Sequence, residues 1–270
     1  MSLSGMPIEH DRTCVTVLMY HAIAASGEAL RTGADPHYAV PVERFLEQVR
    51  AIRARGTRPR SVASLVSDDS RDARVALTFD DGHASNRRAA EWIAMAGGAA
   101  DFFVNPSTVG APGFLDWTAL RDMAREGHSI QSHGQHHWYL DELDERGVRA
   151  ELRDSKARIE DEVGTPVTLF APPGGRLAPC IAEVAFEEGY LGICCSRDGL
   201  WNPAGSAWHI PRLAVTAATG AQRFERWIAQ DGWELARMRA RHAVLAGAKS
   251  VLGNRRYERV RRALLGGPAA

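Results

Sequence analysis

The stretch VALTFDDGHASN, residues 75–86, runs five apolar or β-branched side chains straight into two adjacent acids and a glycine. Val75 to Phe79 reads as a buried strand. Asp80 and Asp81 stand at its C-terminal end, where neighbouring carboxylates repel each other and lose hydration. Some partner has to offset that cost.

Outward from this run, short β-rich segments alternate with amphipathic helical ones. Candidate strands are CVTVLMYHAI (14–23), RVALTFDD (74–81), AADFFVN (99–105), HSIQSHG (128–134), VTLFAPP (167–173), YLGICCS (190–196) and HIPRLAV (209–215). Between them Val42, Phe45, Leu46, Val49 and Ile52 recur at helical spacing, as do Leu152, Ile159 and Val163. LDWTALRDMAREG (115–127) predicts a helix capped by Asp116 and stopped at Gly127. Strands separated by helices predict an α/β fold with a parallel sheet, doubly wound or closed into a barrel. Either architecture gathers ligands at the C-terminal ends of its strands. His21, Asp80, Asp81, Asn105, His133, Pro172 and Pro173 all fall at such ends.

Residues 1–230 are expected to form this domain. Residues 231–270, helical in pattern and rich in arginine, are expected to pack on it as a C-terminal extension. The basic face of that extension reads first as a solvated helix surface and second as a peripheral contact for an anionic membrane. With 33 basic and 33 acidic side chains in 270 residues, no global field draws the chain to nucleic acid. No apolar run approaches the roughly 20 residues of a membrane span. MSLSGMPIEHDRTC (1–14) lacks the basic and apolar regions of a secretory signal. Cys14, Cys180, Cys194 and Cys195 show no CxxC spacing and read as buried, reduced thiols. Together these set the expectation of a cytoplasmic protein.

GHSIQSHGQHHWYL (127–140) suggests what balances the acids. His133 and His137, spaced i and i+4, present two imidazoles to one point where the backbone turns helically. With Asp81 they make two nitrogens and a carboxylate, the donor set of a catalytic zinc site with an open position. Cobalt, nickel or manganese also fit these donors. A cation there would neutralise much of the repulsion between Asp80 and Asp81.

TFDDG (78–82) followed by GHSIQSHGQHHWYL resembles the first two motifs of the polysaccharide deacetylase family, metal-dependent carbohydrate esterases of the NodB-homology type. FAPPGG (170–175) falls where that family has its third motif. VTVLMYHAI and HYAVPVERFLEQVRAIRARGTRP resemble its N-terminal portion. The resemblance implies a distorted (β/α) barrel of about seven strands and hydrolysis of N-acetyl, sometimes O-acetyl, groups on sugars. Carried over residue by residue, it makes Asp80 the catalytic base that activates water at the metal. Asp81, His133 and His137 become the metal ligands, and the backbone N–H at Gly174, beside Pro173, an oxyanion donor.

Four departures from the family pattern stand out. Gly134 replaces the usual Ser or Thr, Ala171 the arginine that orients the base, and Gly174 a tyrosine. No LxH occurs near the C-terminus to supply the general-acid histidine. His209 is the candidate acid by order along the chain, with His83 and His21 as other donors. Arg176, Arg197 or Arg212 can stand in for the lost arginine, with Asp198 a partner for one of them. Trp138, next to a ligand, is the candidate platform for a sugar face. The FAPPGG variant together with the arginine-rich tail resembles deacetylases of bacterial exopolysaccharide or glycolipid synthesis.

The expected function is therefore metal-dependent removal of an N-acetyl or other small acyl group from an amino sugar or glycan precursor. Two alternatives stand beside it: a catalytically impaired carbohydrate-binding scaffold, and a deformylase or other amidohydrolase on the same fold.

Overall fold

The computed structural model describes residues 14–24, 32–67, 73–238 and 240. Along the chain it runs β1 (Thr16–Tyr20), β2 (Ala22–Ile23), β3 (Ala39–Val40), α1 (Val42–Ala54), α2 (Val62–Ser67), β4 (Val75–Phe79), α3 (Asn86–Met95) and β5 (Asp101–Val104). There follow α4 (Trp117–Arg125), β6 (Ser129–Ser132), α5 (Glu145–Val163), β7 (Leu169–Phe170), α6 (Pro179–Glu187), β8 (Gly192–Cys195), β9 (Ile210–Pro211), β10 (Leu213–Ala214) and α7 (Ala221–Ile228). Each of the seven expected strand segments contains an observed strand. Asp116 caps α4 as expected, its side chain accepting from the Ala119 N–H.

Eight strands lie in the order β10-β1-β4-β5-β6-β7-β8-β9, every neighbouring pair parallel. The two end strands are one continuous segment interrupted at Arg212. Ile210 and Pro211 pair with Cys194 and Cys195 on one side, while Leu213 and Ala214 pair with Leu18 and Met19 on the other. That segment closes the ring, so the barrel has seven staves, as the resemblance implied.

Alternation along each stave separates two cores. Leu18, Tyr20, Leu77, Phe79, Phe102 and Val104 face outward beneath the helices. Tyr20, Phe79 and Phe102 stack in sequence, with ring centroids 5.3 and 4.8 Å apart. Burying each phenylalanine contributes about 1.5–3 kcal/mol. The intervening residues Val15, Val17, Ala76, Phe103, Leu169, Ala171 and Cys194 cluster with Val62 and Leu65 of α2, which fills the barrel at its N-terminal end. Continuing this alternation past the strands' C-terminal ends makes Asp80, Asn105 and His133 the next interior positions. The fold thus converts period-two spacing into convergence at one mouth.

Residues 232–238 are helical and pack on the same body, with Leu235 and Met238 buried and Glu234 accepting from Arg223 at 3.1 Å. The arginine-rich tail beyond residue 240, with its expected membrane contact, and the N-terminal residues 1–13 lie outside the described residues. Among the described residues no helix is long and apolar enough to cross a membrane. All four cysteines are free, but only Cys194 and Cys195 are buried; Cys14 is half-buried and Cys180 on α6 is exposed. Its position on the helix surface, not its composition, decides that.

Candidate active site

A cleft of about 680 Å³ opens at the C-terminal ends of the strands, lined by His21, Asp80, Asp81, His83, Asn105, His133, His137, Tyr139 and Gly174 among others. The two acids part company through one backbone angle. Asp80 continues the interior face of β4 and is buried. Asp81 takes φ +72°, the left-handed region that aspartate enters more readily than most residues. The two carboxylates consequently meet different partners.

Asp80 is gripped by Arg212, whose Nη1 and Nη2 donate to Oδ1 and Oδ2 at 2.7 and 2.8 Å. Arg212 is itself fully buried at the join of β9 and β10. Of the three candidate replacements for the missing arginine, Arg212 is therefore the one that faces Asp80. Arg176 instead lies 3.8 Å over the Tyr139 ring, with Glu142 at 2.9 Å. The Arg197 backbone carbonyl accepts from the Arg212 N–H at 3.0 Å. Burial pushes the Asp80 carboxyl upward, but the Arg212 charge and hydrogen bonds outweigh it and hold the group below the usual carboxylate range. Asp80 is thereby kept as a carboxylate.

Asp81 Oδ1 lies 3.3 Å from His133 Nε2 and 3.2 Å from His137 Nε2. Burial again acts upward on this carboxyl, and the two imidazoles overcome it, holding it well below the ordinary value. His133 shows the reciprocal effect: burial lowers its pKa, while Asp81 and Asp80 raise it to a net increase. The donor atoms of Asp81, His133 and His137 all lie within 4.8 Å of one another. His133 Nδ1 donates to the Ala171 carbonyl at 2.7 Å, which directs Nε2 into the cleft. Donors bound about 2.0–2.1 Å from a tetrahedral ion stand about 3.3 Å apart. The Asp81–His133 and Asp81–His137 separations match that spacing, so the three residues fit a metal.

The expected helical turn across 133–137 does not form. His133 follows β6 directly, and His137 sits on an extended loop with φ +62°. The loop, not an i,i+4 helix face, brings the imidazoles together, with ring centroids 5.1 Å apart. Asn105 Nδ2 supports it by donating to the His133 and Gly134 carbonyls at 2.5 and 3.1 Å.

His209 is not brought to the cleft. It is exposed and precedes Ile210, at the N-terminal end of β9 and hence the far end of the barrel. Chain order points to it wrongly because the strand runs away from it toward the site. His21 does line the cleft, stacked on Tyr38 at 4.3 Å. Burial lowers its pKa, with Asp81 and Asp80 acting in opposition. His83 lines the cleft too, but Ser85 Oγ and Thr32 Oγ1 occupy its two ring nitrogens at 2.7 and 2.8 Å. Pro173 is buried, while Trp138, directly after His137, stands exposed and stacked on His136 at 4.6 Å.

Two participants carry no signal in the sequence. A Cβ at Gly174, where φ is +64°, would lie 2.7 Å from Tyr139 Cε1, so the Tyr139 ring occupies the space a side chain at 174 would need. Glu151, on α5, accepts from the loop between His133 and His137.

Residues 67–193 match the family described as Polysaccharide deacetylase. The chain is 25% identical over 218 residues to YxkH of Bacillus subtilis (strain 168), named as a putative polysaccharide deacetylase, covering 78% of this chain and 75% of that one. In structure it is similar to the Streptococcus pyogenes deacetylase PplD in complex with acetate, with a TM-score of 0.71, 21% identity, and 80% and 98% of the two chains covered. It is also similar to IcaB from Ammonifex degensii, with a TM-score of 0.68, 21% identity, and 80% and 97% covered. These two likenesses are of fold. The span that carries Asp80, Asp81, His133, His137 and Gly174 is thus the span that matches the polysaccharide deacetylase family.

Proposed function

We propose that this member of the polysaccharide deacetylase family is a metal-dependent hydrolase that removes an N-acetyl or similar small acyl group from an amino sugar of a glycan or glycan precursor. The observation that carries the reading is the placement of an arginine-held carboxylate, Asp80, beside a three-donor cluster in one cleft.

Asp81, His133 and His137 would hold the ion, zinc being the first choice for two imidazoles and a carboxylate. When bound, a divalent metal supplies Lewis-acid activation of water and of the acyl carbonyl. Asp80, ionised through Arg212 and not spent on the cluster, takes the proton from the attacking water. The backbone at Gly174 borders the same cleft and offers an N–H to the developing oxyanion. An expelled amine nitrogen needs a proton, and His21, which lines the cleft without belonging to the three-donor cluster, is the histidine there to give it. Tyr139 and Trp138 present aromatic faces at the rim for a sugar ring.

The alternative of an impaired scaffold rests on the absent arginine and acid. Arg212 and His21 offer both functions from other positions in the chain, which favours the enzyme. The test joins metal content to turnover. Protein purified without chelator should carry one metal per chain and release acetate from N-acetylated amino sugars. Asp80→Asn should keep the metal and lose the release. A protein that takes up no zinc, cobalt or nickel would overturn the reading.

A further inference from the structure

Gly134 lacks the hydroxyl that the family pattern places beside the first ligand histidine, yet the loop it begins is closely held. On α5, Glu151 and Ser155 share one face a turn apart. Ser155 Oγ bonds Ser132 Oγ of β6 at 2.7 Å, fixing the helix against that strand. One turn earlier the buried Glu151 carboxylate reaches the loop leaving the same strand. Its Oε2 accepts from the Gln135 and His136 N–H groups, both at 2.9 Å, and its Oε1 from His136 Nδ1 at 2.5 Å. These donors immediately precede His137, whose positive φ persists only where surrounding contacts over-determine it. A Cβ at Gly134, where φ is +81°, would stand 3.3 Å from Glu151 Oε2. The glycine and the glutamate therefore belong together: a serine or threonine at 134 would crowd the carboxylate.

We infer that Glu151 is the positioning residue for the metal ligand His137, a carboxylate from α5 replacing the hydroxyl lost at Gly134. The inference rests on the metal-site reading above. Asn105 clasps the start of the 133–137 loop and Glu151 its end, so the loop reaches the cleft already shaped for coordination. Through His136, which stacks on Trp138, the same clasp steadies the aromatic rim.

The test is isothermal titration of the metal-free full chain with zinc and cobalt, alongside the cobalt absorption spectrum and the melting temperature before metal is added. Outer partners of metal ligands set affinity by about 10- to 100-fold. Glu151→Ala should raise the dissociation constant by that factor and alter the cobalt spectrum as His137 coordination loosens. Glu151→Gln keeps the length and an acceptor for both N–H groups, and should recover most of the affinity. If Glu151→Ala fails to melt cooperatively, Glu151→Asp serves instead, since it keeps the charge but withdraws the carboxylate, and should weaken binding at least about tenfold. A folded Ala or Asp variant with wild-type affinity and spectrum, altered only in melting temperature, would make Glu151 merely structural and overturn the inference. A wild-type chain that binds no metal would overturn the metal-site reading as well, whereas with a metal-binding wild type the variants test Glu151 alone.

Discussion

Replacing Arg212 with methionine keeps much of the side chain's aliphatic bulk while removing the charge and both bonds, 2.7 and 2.8 Å long, to Asp80. Asp80 is only 3% exposed, so water does not take the place of the guanidinium. Taking one member from a buried ion pair costs about 3–5 kcal/mol, because the remaining charge is stranded. For a urea dependence of about 2–3 kcal/mol/M, the unfolding midpoint should fall by about 1–2.5 M. Adding Asp80→Asn removes the stranded charge, and the pair should show a coupling of about 2–3 kcal/mol in a double-mutant cycle. Activity gives a second readout. In the wild type Arg212 outweighs burial and holds the Asp80 pKa down, so the base form persists as pH falls. Without Arg212 burial is opposed only by the lesser pull of His133 and His21, the pKa rises, and the acidic limb of the rate profile moves to higher pH. Arg212→Lys, which keeps a charge but not the two-pronged fork, should fall between. An unmoved acidic limb together with an unchanged urea midpoint would refute the role given to Arg212.

Further outcomes are expected from the same geometry. His21→Asn should reduce amide hydrolysis by about 10²–10⁴-fold while His209→Asn stays near wild type, measured as acetate release; the reverse ranking would restore His209 as the acid. Gly174→Ala sets a Cβ 2.7 Å from Tyr139 and forces the ring aside, so it should raise KM, and Tyr139→Ala should relieve that effect in the double variant. Chelation should abolish activity, and zinc or cobalt should restore it in the wild type but not in Asp81→Asn. Asp101, inside the barrel, accepts from the Val62 and Ala63 N–H groups, and burial raises its pKa from 3.8 to about 7. Between those values the folded chain keeps a proton that the unfolded chain releases. Its contribution is therefore complete below pH 3.8 and is lost as pH rises through about 7, a change of up to about 4 kcal/mol. Asp101→Asn should flatten that slope, read from urea midpoints at acidic and neutral pH.

Much of this protein is written in local pattern. Alternating apolar runs place the seven staves, because a strand buried on both faces needs continuous β-branched and aromatic residues and tolerates little else. The DDG at the end of one run and the histidine-rich stretch at the end of another mark Asp80, Asp81, His133 and His137, because parallel strands deliver their C-terminal ends to one side. What local pattern could not carry is which distant side chain fills a gap. Arg212, Arg176 and Arg197 are equivalent on paper; only barrel closure, which splits residues 210–214 between β8 and β1, turns Arg212 inward to Asp80. Chain order along the motifs favours His209, yet it opens its strand and so lies at the end of the barrel away from the cleft. Tyr139 beside Gly174, and Glu151 beside Gly134, answer deletions in one segment with side chains from another. Spacing along the chain thus determined the strands and the placement of Asp80, Asp81, His133 and His137 at their ends. Tertiary packing alone decided the arginine, the histidine of the cleft and the clasp on the ligand loop, because those partners are 15 to 132 residues from the groups they serve and only the closed barrel makes them neighbours.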